Sequence, residues 1–517
     1  MKKTNAQKTL SLLLALLMLS PALLSCGESK ENTEPTTSQT AEKPSASDGE
    51  ADAEPEETEM PDPFADFDYN GQAFRVSTST NAANATLSTS NLFIEGPEEL
   101  TGDAAPDEAF ERNRRVEDLL NVNLEFTGVN YDYSGVGNYI RQYVTAASND
   151  YDLFINDIYG TASLTLEGAF LNALGMENFD FSQPWWYPDF MRDISMNYSY
   201  QFMLAGDFFI DVLRSSHVLL FNKSLYTDLY GDGNEIYEIV LNGDWTYDRF
   251  VTICDETFAD LNGNGQNDPD DRYGYVAYQS WGPMIPFLIS ANPGYVERDD
   301  QGYPTITVYN ERSLALMEYL IKIFNSSTAG ALTVFHDDSA ATLLNFTSGK
   351  SIMIGDQRIG SLENASIRDM EQDFAVLPYP KLTEQDGYVT SAHDTSEVGL
   401  IPITVSPDST GYISAVIEVL CRETHKAVLP VYYDSSIKMK YTRDQNSAQM
   451  LDIIHDNIGD SFPLAWSNEL DAILLQGTFY YAVVEDGDFA SRYKKLERVG
   501  TKKLEKLIST LEKNIGE

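Results

Sequence analysis

From residue 72 onward, short apolar runs alternate with amphipathic segments. Residues 73–77, 123–127 and 151–155 read as strands, being short, apolar and rich in branched and aromatic side chains. Between the first two lies PDEAFERNRRVEDLLN, residues 106–121. There Ala109, Val116, Leu119 and Leu120 share one face, Pro106 stands in the first turn and acids come early, which predicts a helix. Residues 138–147 predict a second helix. This strand–helix alternation predicts an α/β fold with doubly wound sheets, whose ligands bind beyond the carboxyl ends of the strands. Further on, residues 313–324 and 414–420 read as helices, 352–354 and 398–403 as strands, and 494–515 as a long amphipathic surface helix.

The stretch GDFFIDVLRSSHVLLFNKSLY, residues 206–226, organises this pattern. Residues 208–213 and 218–221 read as buried strands, with the polar tetrad Arg214-Ser215-Ser216-His217 between them. The tetrad lacks the Asn-Gly or Asp-Gly of a tight hairpin. It is either an ordinary loop or a crossing between two α/β lobes. A crossing would put Arg214, Ser215 and His217 beside a ligand.

The N-terminus has its own logic. Lys2, Lys3 and Lys8 precede an apolar run, residues 10–19, too short to anchor in a bilayer. Residues 1–25 therefore read as an export signal. Leu23-Leu24-Ser25-Cys26 resembles the lipobox of bacterial lipoproteins, which implies cleavage before Cys26 and a lipid on its thiol. Residues 26–68 read as a disordered acidic tether, nearly free of large apolar side chains and self-repelling. No other stretch is long and apolar enough to span a membrane.

The remaining chain is long enough for two or three cores. The net charge of -45 argues against nucleic acid and anionic surfaces as partners. Beyond Cys26 only Cys254 and Cys421 remain, which predicts two buried thiols rather than a disulfide framework.

Several residues carry candidate chemistry. Asn156, Asp157 and Tyr159 follow a strand directly; Asp157 either lies on a cleft rim or caps the next helix. Trp185-Trp186-Tyr187, between two prolines, either stacks on a sugar ring or plugs a loop. Residues 260–271 match an EF-hand-type calcium loop: Asp260, Asn262 and Asn264 at positions 1, 3 and 5, and Gly265 at the turn. Gln266 offers its carbonyl at position 7, Asp268 its carboxylate or a bridging water at 9, and Asp271 stands at 12 where Glu is usual. The expected role is structural.

Leu220-Phe221-Asn222-Lys223, then Gly243-Asp244-Trp245-Thr246-Tyr247-Asp248-Arg249-Phe250, bring in a resemblance. It continues at Tyr273-Gly274-Tyr275, at Phe346-Thr347-Ser348-Gly349-Lys350 before Ile352-Met353-Ile354-Gly355, and at Phe374-Ala375-Val376-Leu377-Pro378-Tyr379-Pro380. In order and spacing these blocks resemble extracellular solute-binding proteins of carbohydrate ABC importers, the family that includes maltose-binding proteins. The resemblance runs from about residue 72 to the C-terminus. It implies a two-lobed periplasmic-binding-protein-like fold with three interlobe crossings. The second crossing falls at His393-Asp394-Thr395-Ser396-Glu397 and the third near residues 440–444. The implied division puts 69–213 plus 398–442 in lobe 1 and 214–397 plus 443–517 in lobe 2.

The resemblance also implies a site. Trp281 becomes the sugar platform, faced by Trp185 or Trp186 from the other lobe, with a late aromatic contact from Tyr480. Asp356 and Arg358 stand where relatives place an aromatic, which shifts recognition toward hydrogen bonds, unless the two merely pair. Asp157, Arg214 and His393 complete the polar set.

The implied function is capture of a sugar or oligosaccharide by a lipid-anchored monomer outside the cell membrane, for delivery to an ABC permease. The motifs of serine hydrolases, zinc proteases and phosphate-binding loops are absent. A carboxylate-based glycoside hydrolase or a surface glycan-binding protein is the alternative.

Overall fold

A computed structural model describes residues 62–80, 91–131, 133–327, 329–433 and 445–515. The signal, Cys26, the acidic segment up to residue 61 and the third expected crossing lie outside them.

Among the described residues, eleven strands form two sheets and a small hairpin. In chain order they are β1 (Gln72–Ser79), β2 (Val122–Val129), β3 (Leu153–Asp157), β4 (His217–Asn222), β5 (Tyr273–Tyr278), β6 (Val296–Arg298), β7 (Pro304–Ile306), β8 (Thr333–His336), β9 (Ser351–Arg358), β10 (Phe374–Leu377) and β11 (Glu397–Leu400). The first sheet has the order β11-β3-β1-β2. The second has the order β10-β4-β9-β5-β8, and β6-β7 stand apart. Within each sheet the pairs β1–β2, β1–β3, β5–β9 and β5–β8 are parallel. Each sheet also holds a strand from the crossings: β11 runs antiparallel to β3, and β4 antiparallel to β9 and β10. The α/β sheets are those the strand–helix rhythm predicts, and their division into two lobes is the one the resemblance implies.

The helices that position the site follow from local signals. α1 (Ala104–Leu120) buries Ala109, Val116 and Leu120, the stripe its spacing predicts. Asp157 caps α2 (Ile158–Leu166), its Oδ1 accepting from Gly160 N at 2.6 Å. Thr246 caps α3 (Tyr247–Thr257), accepting from Arg249 N. α4 (Ser339–Thr347) is capped by Asp338 and packs on β5 and β9. α5 (Thr410–Glu423) packs on α1 of the first lobe, whereas α6 (Gln445–Asp456) packs on β10 of the second. The final helix, α7 (Phe489–Ile515), which the division by lobes assigns to the second, packs on α2 of the first and also touches β7. Asn514 Nδ2 donates to Leu166 O at 3.0 Å, and Asn325 Nδ2 to Val483 O at 2.5 Å, so the C-terminal block binds elements of both lobes. Cys254 and Cys421 are free and buried.

One expectation fails at the crossing. Residues 208–213 are not a strand: tight turns lead into a single helical turn, Asp211–Arg214. A short run that is apolar but for Asp211 fits a buried turn as well as a strand, and what decides is the distant partner of Asp211. Its Oδ2 accepts from Glu397 N at 3.0 Å, which ties the first crossing to the second. His217 N donates to Ser391 O at 2.8 Å and His393 N to Ser215 O at 3.2 Å. The two crossings therefore lie side by side as antiparallel chain, and the polar tetrad is buried rather than looped into solvent.

Arg214 shows how that burial is sustained. Its side chain is 1% exposed and grips Glu363 with two bonds, Nε–Oε1 at 3.1 Å and Nη2–Oε2 at 2.9 Å. The guanidinium also lies over the Phe93 ring at 5.0 Å. Burial alone would favour the neutral form; Glu363 foremost, then Tyr432, reverses this and holds Arg214 above its ordinary range. Removing one partner of such a pair strands a buried charge. Glu363→Ala should therefore lower the unfolding free energy by about 3 kcal/mol, and the double variant Arg214→Met/Glu363→Leu should recover most of it. Denaturant unfolding of the two variants checks both outcomes.

Candidate functional site

The carboxyl ends of β3, β5 and β9 converge where the crossings pass. A cavity of about 340 Å³ opens there. The first lobe gives Tyr133, from the chain after β2, and Tyr159, in the first turn of α2; the two rings meet edge to face at 5.5 Å. From the second lobe come Tyr278 at the end of β5, then Ser280, Trp281 and Gly282. Asp356 and Arg358 at the end of β9, and His393, Asp394 and Thr395 from the second crossing, complete the polar lining.

Asp356 is the best-fixed of these groups. Its Oδ2 accepts from Tyr278 OH at 2.6 Å, and its own N–H donates to Tyr379 OH at 2.9 Å. Its φ is 55°, the left-handed region that side chains other than glycine, asparagine and aspartate rarely enter. Such strain persists only where the surroundings impose it. His217 Nε2 lies 3.7 Å from Asp356 Oδ1, and the two tyrosine contacts complete the cage.

The charges are set by burial and by one another. Burial, then His393 and Arg358, push His217 well below the ordinary histidine range, so it stays neutral. Burial alone would raise Asp394, but His393 first and Arg358 after it hold the carboxyl below its usual range. His393 Nδ1 lies 3.0 Å from Asp394 Oδ1 and 2.8 Å from Thr395 Oγ1. Burial and the adjacent Asp356 push the Tyr278 phenol up, so it remains a hydrogen-bond donor. The result is a pair of aromatic walls over a floor of fixed acceptors and donors.

Of the residues singled out from sequence, Trp281, Asp356, Arg358 and His393 come together here. Tyr159 joins them, while its neighbour Asp157 turns inward as the α2 cap, the other of the two roles its position allowed. Arg214 does not border this cavity; it is sequestered by Glu363.

Trp185 and Trp186 lie elsewhere. Both indole N–H groups donate to Glu418 of α5, at 2.8 and 2.9 Å, and Trp186 packs against Phe179 and Phe181 in the first-lobe core. They are the plug under a loop, not the face opposite Trp281. Tyr480 sits in a helical turn, Gln476–Tyr480, edge-on to Tyr481, and borders no part of the cavity.

The first-lobe aromatic role falls instead to Tyr133 and Tyr159. Tyr133 was missed by sequence reasoning, although it follows the carboxyl end of β2, where the same rule that selected Asp157 would have found it.

The acidic loop at residues 260–271 begins shortly after α3 and ends at β5. Asp260 accepts from Gly263 N at 2.6 Å and Gly265 N at 2.8 Å, and both glycines have positive φ. Asn262 and Asn264 each accept from the N–H two residues on, and their amides donate to Asp268. Asp271, fully buried, accepts from Leu261 N at 3.0 Å and closes the loop. The donor set is all oxygen, as a hard cation needs. Among the described residues no three His, Cys, Asp or Glu side chains converge as a metal site, so the loop's oxygen count rests on its asparagines as well.

No protein-family model matches the chain, and no curated protein matches it in sequence. Solved structures do match in fold. A cyclo/maltodextrin-binding protein complexed with maltotetraose superposes with a TM-score of 0.51 at 12% identity, over 86% of this chain and 98% of its own. UgpB from Mycobacterium tuberculosis, in complex with glycerophosphocholine, gives 0.51 at 11% identity, over 85% and 99%. UspC from M. tuberculosis gives 0.51 at 14% identity, over 83% and 100%. The chain thus shares the two-lobed α/β fold of these structures.

The strain at Asp356 generates a test. Asp356→Asn tolerates the backbone and keeps an acceptor for Tyr278, whereas a branched side chain does neither. Asp356→Val should be about 1–2 kcal/mol less stable than Asp356→Asn in denaturant unfolding.

Proposed function

We propose that this protein is the substrate-binding component of an ABC importer and captures a sugar or oligosaccharide between its lobes. The observation that carries this reading is the cavity at the crossings, with Tyr133 and Tyr159 on one side and Tyr278 and Trp281 on the other. Aromatic faces suit the C–H faces of a sugar ring, and Asp356, Asp394 and Arg358 suit its hydroxyls. The fold likeness supports the reading, since a structure of that fold holds maltotetraose.

Hydrolysis is the weaker reading. A glycosidase needs two facing carboxyls free to act, and in this cavity Asp356 is bonded to Tyr278 and Asp394 lies against His393.

Trp281 is the platform to test. A thermal-shift screen against a sugar panel identifies the best ligand, and calorimetry then compares wild type with Trp281→Ala. The variant should lose about 2 kcal/mol of binding, the scale of an aromatic anchor, with its melting temperature little changed.

The same proposal places the folded body outside the cell membrane as a monomer, held by a lipid on Cys26 and partnered by a permease. Among the described residues no helix is long and apolar enough to cross a membrane.

A calcium ion in the loop of Asp260, Asn262, Asn264, Gln266, Asp268 and Asp271 forms a second part of the proposal. The loop joins β5 at Tyr273, while the cavity lies at Tyr278, about 17 Å away by strand rise. Its role is therefore stabilisation, not ligand contact. Chelator should lower the melting temperature of wild type but not of Asp260→Ala, and leave sugar affinity unchanged. Collapse of affinity without a change in melting would reverse that assignment.

A further inference from the structure

The last helix, α7, carries a charge pattern that ligand capture does not use. It holds eight cationic side chains and three acidic ones, in a chain whose net charge is -45. Packing fixes its rotation about its own axis. Phe489, Leu504 and Leu511 are buried, and Gly500 presses on the helix Ser467–Leu474 so closely that a Cβ there would lie 2.8 Å from Ile473.

The face turned away from that contact is continuous. Lys495, Arg498, Lys502, Lys506 and Lys513 follow one another at steps of three, four, four and seven, and all are exposed. At the rise and pitch of an α-helix they make one stripe about 27 Å long. Val499, 57% exposed, is the apolar side chain among them. Glu497, Glu505 and Glu512 lie to one side. The ion pair of this helix, Arg492 with Glu485 at 2.6 Å, comes before the stripe, and among the described residues none of the five cations forms one. A solvated helix gains from mixed signs, because like charges four residues apart repel. Here Arg498, Lys502 and Lys506 repel in series, in a chain with acids to spare.

The cations themselves favour one kind of partner. Four of the five are lysines, point charges on flexible stems that need no fixed geometry in the anion. Protein interfaces favour arginine and aromatic anchors and are poor in lysine. A ridge of lysines with one small apolar residue suits a surface of mobile phosphates, to which it adsorbs without inserting. The negative body does not prevent this, since at physiological ionic strength repulsion beyond about 8 Å is largely screened.

We infer that α7 docks the body on an anionic phospholipid surface along this stripe. For one face of the molecule this reverses the expectation drawn from net charge. It depends neither on sugar capture nor on a lipid at Cys26.

The test places one fluorophore on the stripe. Val499→Cys is labelled in the full chain carrying Cys26→Ser, since Cys254 and Cys421 are buried. The protein is mixed with phosphatidylcholine vesicles, with or without phosphatidylglycerol, that contain spin-labelled lipid as quencher. Quenching should require phosphatidylglycerol and be reversed by added salt. Lys495→Gln/Lys502→Gln/Lys506→Gln should weaken partitioning about a hundredfold, at about fivefold per cation, while arginine at the same three positions retains it. The glutamine variant should melt no lower than wild type, because it removes like-charge repulsion. A label at Leu344→Cys in α4, 68% exposed, should stay unquenched.

Quenching that is equal on neutral and anionic vesicles, that is equal at both labels, or that survives in the glutamine variant overturns the docking face. A Val499→Cys label that responds to soluble polyphosphate but is not quenched on vesicles assigns the stripe to a soluble polyanion, and overturns lipid docking as well.

Discussion

The structure depends on the burial of polar chain where two crossings run side by side. Residues 215–217 and 391–393 bond to each other, so their backbone groups are satisfied without a sheet around them. The side chains are harder to accommodate. Asp211, Arg214 and Glu397 are each 2% exposed or less, and Asp157 lies opposite Glu397 in the β3–β11 pairing. Burial first, then Asp211 and Asp157, push the Glu397 carboxyl well above its usual range, with Arg214 acting against them. Arg214 is already engaged by Glu363, so the repulsion among these buried acids is only partly relieved, and the proton affinity of Glu397 rises in consequence. The Arg214–Glu363 grip then carries this polar core outward to the second lobe.

Much of the architecture was legible in the sequence because it rests on local signals. The stripe of α1, the cap Asp157, and the apolar runs of β3 and β9 each follow from a few neighbouring residues. What stayed hidden depended on distant partners. The run at residues 208–213 looked like a strand because its spacing cannot distinguish a strand from a buried turn; Glu397, far along the chain, decides it. The same limit explains the C-terminal helices, whose periodicity predicts an apolar face but not which lobe receives it.

The site was legible in part for the same reason. Asp356, Arg358 and Tyr159 stand at or just beyond the ends of strands, where the α/β rule looks for ligands, and Trp281 was supplied by the resemblance alone. Trp185 and Trp186 were misleading because aromatic pairs suit sugar faces and cores equally. Glu418 settles the matter: one buried carboxylate accepts from both indoles, and burial raises its proton affinity, which those two bonds only partly offset. No local pattern joins positions so far apart. Tyr133 was overlooked because it lies several residues beyond its strand, among polar residues that read as loop.

The hinge and the cavity are one piece of chemistry. His217 begins β4 at the first crossing and reaches toward Asp356, the strained residue of the cavity floor. His393 belongs to the second crossing and lines the cavity beside Asp394. The two imidazoles lie 5.6 Å apart, and the neutrality of His217 follows after burial from His393 and Arg358. Charge at Asp356 or Asp394 therefore acts on both crossings directly, with no intervening chain of contacts. The polar groups of the cavity thus come in part from the second crossing, through His393, Asp394 and Thr395, and in part from the end of β9, which His217 of the first crossing approaches.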